Sequence, residues 1–138
     1  MTTTADLTPG LTGEARVTVT AGLTARALGS GLVEVYSTPS LIALLEAAAV
    51  AALDGHLAEG QTSVGTHLDV SHLAATPVGM RVRAQATLRE IDGRRLVFDV
   101  AAWDETEQIA SGTHARFLVD AARFIQRAEA KARGTAES

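Results

Sequence analysis

Glu46 is the only charged residue between Thr38 and Asp54, in the stretch TPSLIALLEAAAVAALD. On a helix it has Ile42 and Ala43 one turn before it and Ala49 and Val50 one turn after. A charged carboxylate in such surroundings costs several kcal/mol unless it is paired or hydrogen-bonded. One reading is a structural acid satisfied by a neighbour; the other is a carboxylate tuned by apolar surroundings for general-base or nucleophilic work. The second reading is favoured. His72 is the next candidate. Strand alternation puts it on an inward, apolar face while His67 points outward. A lone inward histidine is usually a satisfied core residue, but beside an uncompensated glutamate it becomes a candidate partner in acid–base catalysis.

The elements that position these residues follow from pattern. Thr38 reads as the helix N-cap, with Pro39 at the first helical position and Asp54-Gly55 as the exit. A helix with apolar residues on every side is expected to be buried on every side. Val17 and Val19 alternate with polar neighbours, predicting a first strand over Ala15–Thr20. Residues 21–31 hold three glycines and read as a loop, followed by a short strand over Leu32–Tyr36. After the helix come four strands. Thr62–Leu73 is expected to put Val64, Leu68, Val70 and His72 on one face and Ser63, His67, Asp69 and Ser71 on the other. Met80–Ile91 alternates cleanly, Asp92-Gly93 marks a hairpin, and Arg95–Asp104 and Gln108–Val119 complete a meander. Residues 121–133 form a charged, alanine-rich helix or tail. The expected architecture is α+β, an antiparallel sheet with one face on a long helix. Its exposed sheet edge and leftover apolar surface predict a dimer.

Other residues carry weaker signals. Spacing alone makes Thr38 a cap, eight residues and about 12 Å along the helix from Glu46. Gly65 interrupts a strand, which marks a bulge or a close approach of ligand to backbone, the bulge being the simpler reading. Ser111-Gly112-Thr113-His114-Ala115-Arg116 puts Gly112, His114 and Arg116 on one face but matches no catalytic elbow. His67, Asp69 and His72 have metal-like spacing, yet alternation turns His72 away from the other two, so no metal site is expected.

Composition narrows the function. The 138-residue chain carries a net charge of −4 and 4% aromatic residues, which argues against a nucleic-acid partner. It has no cysteine, so disulfides, thiolate metal sites and a cysteine nucleophile are excluded. MTTTADLTPG lacks the basic start and apolar run of a signal peptide, and the central helix is too short for a bilayer. The expectation is a cytoplasmic protein with no membrane partner, organised as a flexible leader over 1–12, one domain over 13–125 and a charged end over 126–138.

Taken together, these residues resemble the hotdog-fold acyl-CoA thioesterases, and specifically the fluoroacetyl-CoA thioesterase family. The resemblance covers roughly 33–125. It is carried by the Thr38-to-Glu46 spacing, Val64-Gly65-Thr66, Val70-Ser71-His72-Leu73-Ala74-Ala75-Thr76-Pro77, the Gly93-Arg94-Arg95-Leu96 hairpin and the Gly112-to-Arg116 segment. It implies a sheet wrapped around the central helix and a homodimer, or a dimer of dimers, with sites at the subunit interface. The substrate it implies is an acyl-CoA, with no cofactor. It also implies a triad in which Thr38 binds and orients the acyl thioester, Glu46 is nucleophile or base, and His72 polarises or relays protons. Gly65 would lend its backbone to the acyl carbonyl, and Arg116 would help hold the substrate. One departure stands out: the family's fluoroacetyl-specific member has a longer, Phe-bearing lid, whereas residues 21–36 here are shorter, with Tyr36 the sole aromatic. That leaves the acyl group open between small and medium chains. A hotdog hydratase or dehydratase and a non-catalytic acyl-ligand-binding protein are the competing readings.

Overall fold

Alternating apolar and polar residues draw five strands into one antiparallel sheet, seen in a computed structural model that describes residues 6–134. The strands are β1 (Thr12–Thr18), β2 (Gln61–His72), β3 (Arg81–Asp92), β4 (Arg95–Trp103) and β5 (Gln108–Asp120), in the order β1-β3-β4-β5-β2. The helices are α1 (Ala25–Leu28), α2 (Thr38–Leu53) and α3 (Ala121–Ala132). The β3–β4 hairpin closes through Gly93-Arg94, with Asp92 opposite Arg95. Residues 1–5 of the expected leader and 135–138 of the expected tail lie outside the described residues.

Helix α2 lies on the inner face of the sheet, against β1, β3 and β4. Leu41, Leu45 and Leu53 are buried there with Val82, Leu88, Leu96 and Phe98. Each such leucine stabilises the fold by roughly 1.5–3 kcal/mol. Small residues set how close helix and sheet come. A side chain at Gly13 of β1 would run into the backbone of Ala48 and Ala52.

Three expectations change here. The helix is not buried on every side: Ala43, Ala47 and Val50 form an exposed apolar stripe, with Val50 51% exposed, and Ile42 and Glu46 are half-buried. A five-stranded sheet covers only part of the helix. The supposed loop over 21–31 contains a 3-10 turn, Ala21–Leu23, and the short α1, whose cap is Thr24 accepting from Ala27 N. Leu32–Tyr36 is not a strand, because the chain bends over 32–34 and only its last two residues make isolated bridges, Tyr36 with Thr24 and Val35 with Pro77.

β2 is a twelve-residue edge strand with β5 on one side only. Its register shifts between Gly65 and His67. The bulge reverses which side chains face inward. Beyond it Leu68, Val70 and His72 are half-buried and His67, Asp69 and Ser71 exposed, as alternation predicts. Before it Gly65 pairs with the inward-facing Arg116 and Ser63 with buried Leu118, so Val64 shares the outer face with exposed Phe117. The expected positions of Val64 and Ser63 are therefore exchanged.

Candidate active site

The entry to α2 is fixed from several directions. Tyr36 N–H donates to the Thr76 carbonyl (2.8 Å) and Ser37 N–H to the Leu23 carbonyl (3.0 Å). Thr76 is itself fully buried, and its hydroxyl donates to Asp104 (2.8 Å). The Tyr36 hydroxyl donates to the Ser40 carbonyl (3.2 Å), and burial pushes its pKa up to about 12. Ser37, not Thr38, is the N-cap, its Oγ accepting from Ser40 N (3.1 Å). Thr38 is thus the first residue of the helix, and its hydroxyl is released from capping. It sits 2.8 Å from His72 Nδ1. The segment after His72 reaches back to Tyr36 through Thr76 and to Val35 through Pro77, which holds the end of β2 against the start of α2.

His72 Nε2 is buried and has no partner among the described residues. Burial lowers the pKa of His72 below its ordinary value of 6.5, with the Ala74 backbone acting in the other direction, so the ring is neutral at pH 7. A buried nitrogen left without a partner beside a hydroxyl at a helix N-terminus is a polar arrangement open to a ligand.

Two turns along α2, Glu46 sits at the middle of the helix and reaches Gly65 and Arg116 on β2 and β5. Arg116 Nη1 donates to Glu46 Oε2 at 3.4 Å, and His114 Nε2 lies 4.0 Å from the same oxygen. Arg116 is anchored as well by Ser63, donating from Nε to its Oγ (2.8 Å) and from Nη2 to its carbonyl (3.1 Å). His114 is fully buried and donates from Nδ1 to the His67 carbonyl (2.9 Å), which leaves Nε2 to accept from Arg116 Nη1 (3.1 Å). Burial lowers the His114 pKa and the adjacent Arg116 guanidinium lowers it further, keeping the ring neutral. Gly65 completes the cluster. A Cβ on Gly65 would lie 2.5 Å from Glu46 Oε2, so the missing side chain is the space the carboxylate occupies. The Glu46 side chain nevertheless remains 38% exposed.

The five residues singled out from sequence therefore fall into two groups, Thr38 with His72 and Glu46 with Gly65 and Arg116. His72 meets Thr38, not Glu46, within one chain. The compensation that Glu46 required comes from Arg116. At Gly65 the bulge reading holds, the register shifting just beyond it, and the group packed over its backbone is the Glu46 carboxylate of the same chain. Sequence reasoning missed Ser37, Ser63 and His114 as site residues. The signal for His114 was present in its alternation with Arg116 on one face of β5; that for Ser63 was hidden by the bulge.

The sequence model described as fluoroacetyl-CoA-specific thioesterase matches residues 19–122. The chain is 42% identical over 91 residues to the fluoroacetyl-CoA thioesterase of Streptantibioticus cattleyicolor, an alignment spanning 66% of each protein, so the chain spans about two thirds of the length of that relative. Among solved structures, a threonine-to-serine mutant of the fluoroacetyl-CoA thioesterase FlK in complex with acetyl-CoA superposes with a TM-score of 0.86 at 33% identity, covering 91% of this chain and 98% of that one. A hot-dog-like protein from Thermanaerovibrio acidaminovorans gives 0.80 at 27% identity, covering 89% and 91%. The chain belongs to the fluoroacetyl-CoA-specific thioesterase family and has the hotdog fold of those thioester hydrolases.

Proposed function

We propose that this protein hydrolyses a small or medium acyl-CoA to the free acid and CoA at a site shared by two copies of the chain. The observation that carries this reading is the Glu46 carboxylate. It is seated in the space left by Gly65, held on one side by Arg116 and open to solvent on the other. A positioned, accessible carboxylate on an otherwise apolar helix suits acyl transfer to water.

The other group supplies the polarising half. With a proton on Nδ1, His72 donates to Thr38 Oγ1, which leaves the threonine hydroxyl to donate to the thioester carbonyl oxygen as negative charge develops there. The first turn of α2 adds its positive end to the same oxygen. The unpartnered Nε2 passes to the departing sulfur a proton taken up from solvent or, where Glu46 is the base, from the protonated Glu46. Glu46 either takes a proton from the water that attacks the carbonyl carbon, or attacks it directly to give an acyl–glutamyl anhydride, which water then cleaves to restore the carboxylate. On both routes the acyl carbon–sulfur bond breaks, CoA leaves as the thiol and the oxygen gained by the acid comes from water. Thr38 and Glu46 lie about 12 Å apart along one helix. The Thr38–His72 pair of one protomer therefore works opposite the Glu46 group of another. Pairing through the edge strand β2 and the exposed stripe Ala43, Ala47 and Val50 brings them together and covers both surfaces. A chain without cysteines suits a reducing compartment, and we place it in the cytoplasm. Among the described residues no helix is long and apolar enough to cross a membrane.

Free-thiol release from a panel of acyl-CoAs, short to long and including fluoroacetyl-CoA, tests the reading. Turnover that disappears in Glu46→Gln and falls steeply in His72→Ala is the expected result. Full turnover in either variant overturns the assignment of that residue. Binding without thiol release on every substrate would move the function to a ligand-binding protein or to a hydratase.

A further inference from the structure

Helix α3 carries charges that the proposed hydrolysis does not use. Arg123, Arg127 and Lys131 recur every fourth residue and so lie along one side of the helix. With Arg94 from the β3–β4 hairpin they line a cleft of about 510 Å³ between α3 and the end of β5. Among the described residues none of these four cations makes a salt bridge, whereas arginines elsewhere on the surface pair with Glu14, Glu34, Asp99 and Glu105. Two acids face the cleft, Glu59 and Asp120, and Asp120 is engaged as the α3 N-cap, accepting from Arg123 N (2.9 Å). Four unpaired cations at one cleft of a chain with net charge −4 form an anion-binding surface. Phe124, 41% exposed, adds an aromatic face to the same wall.

The cleft also connects to the site. A second cavity of about 520 Å³ shares Ala58 and Gln61 with it and continues to Ser63, Ala47 and Val50. Ser63 holds Arg116, and Ala47 follows Glu46. Along β5 the run from Arg116 to Asp120 is four residues, about 14 Å. Two adjoining cavities therefore lead from residues beside the Glu46–Arg116 pair to the cationic cleft. Acyl-CoA has the matching layout, a thioester at one end of a flexible arm and a nucleotide with a diphosphate and a 3′-phosphate at the other.

Resting on the thioesterase reading, we propose that this cleft is where the nucleotide end of the substrate docks, with Arg94, Arg123, Arg127 and Lys131 on its phosphates and Phe124 against the adenine. Charge-assisted contacts from guanidinium to phosphate are among the stronger polar interactions, and base–aromatic stacking adds to them.

The test compares an acyl-CoA with the same acyl group on N-acetylcysteamine, a thioester without phosphates. In the combined variant Arg123→Gln, Arg127→Gln, Lys131→Gln, the ratio of kcat/KM for acyl-CoA to that for the N-acetylcysteamine thioester is expected to fall roughly tenfold or more. The rise should sit in KM for acyl-CoA. A ratio that stays within twofold of wild type overturns the docking site and leaves the hydrolase reading standing. Calorimetry with adenosine 3′,5′-bisphosphate reads the site without turnover: binding lost in the variant supports it, and no binding to the wild type overturns it. If the wild type hydrolyses neither thioester, the hydrolase reading fails and the calorimetric result alone decides the site.

Discussion

Replacing Gly65 with alanine separates catalysis from stability. Gly65 has no positive φ, so its backbone accepts any residue. What alanine meets is the Glu46 carboxylate: the added Cβ lies 2.5 Å from Oε2, 3.2 Å from His114 Cε1 and 3.4 Å from Arg116 Nη1. Ordinary contact begins near 3.4 Å, so the carboxylate must retreat by almost 1 Å while the buried ring gives by a few tenths. The carboxylate is the end of a flexible, half-exposed side chain and moves at little cost. Alanine is also favoured over glycine in a strand by about 0.5–1 kcal/mol, which offsets the crowding. Net stability should stay within about 1 kcal/mol, or roughly 4 °C in Tm for a chain of this size. Catalysis has no such slack. Displacing a catalytic group by about 1 Å costs on the order of 10²-fold in rate, close to 2.7 kcal/mol of transition-state stabilisation. We therefore expect kcat/KM in the thiol-release assay to fall about 100-fold with the melting curve nearly in place. A value within threefold of wild type would refute the argument that the carboxylate must occupy the Gly65 space to react. A large drop in Tm would refute the claim that only Glu46 has to move.

Other perturbations address the remaining parts of the site. Ser37→Ala removes the α2 cap and should cost about 1 kcal/mol by chemical denaturation, whereas Thr38→Val should leave stability nearly unchanged yet lower kcat by about 10²-fold or more. Arg116→Met strands Ser63 O, His114 Nε2 and Glu46 together. A buried pair broken on one side costs about 3–5 kcal/mol, and discounting for the exposure of Glu46 gives about 2–4 kcal/mol, measurable as a shifted urea midpoint. His72 and His114 both have pKa values below 6.5 in the fold, so the unfolded chain binds more protons under mild acid. Their contribution to stability is complete above pH 6.5 and is lost as pH falls through the folded values; urea titrations from pH 7.5 to 5 should show this, with a shallower slope in His114→Gln. Val50→Lys puts a charge on the exposed stripe of α2 and should shift sedimentation toward monomer and abolish turnover together.

Much of this molecule could be read from its sequence because two periodicities dominate it. Val82, Ala84, Ala86 and Leu88 alternate into the core, as period two requires, and Asp92-Gly93 marks the hairpin at a place where few other conformations compete. Glu46 stood out because an acid on an apolar helix demands a partner. What could not be read were effects one residue wide. Ser37 and Thr38 are equally good caps by residue type, and only the hydrogen bonds from Tyr36 to Thr76 and from Ser37 to Leu23 decide between them. That single step converts Thr38 from a group consumed by the helix into one free to meet His72. The bulge after Gly65 acts the same way on β2. It turns Ser63 and Gly65 inward and Val64 outward, and without it Arg116 would face neither its serine anchor nor the gap that admits Glu46. Propensity cannot fix either choice, because both are made by contacts across the fold. The helix surface carries the same lesson one level higher. Every residue of its exposed stripe is as apolar as those in the core, and nothing in the order of amino acids says which of the two faces the chain covers itself. The sheet covers one. The other is left with Ala43, Ala47 and Val50 open beside the half-exposed Glu46, and that uncovered face is the ground on which we propose a site shared by two chains.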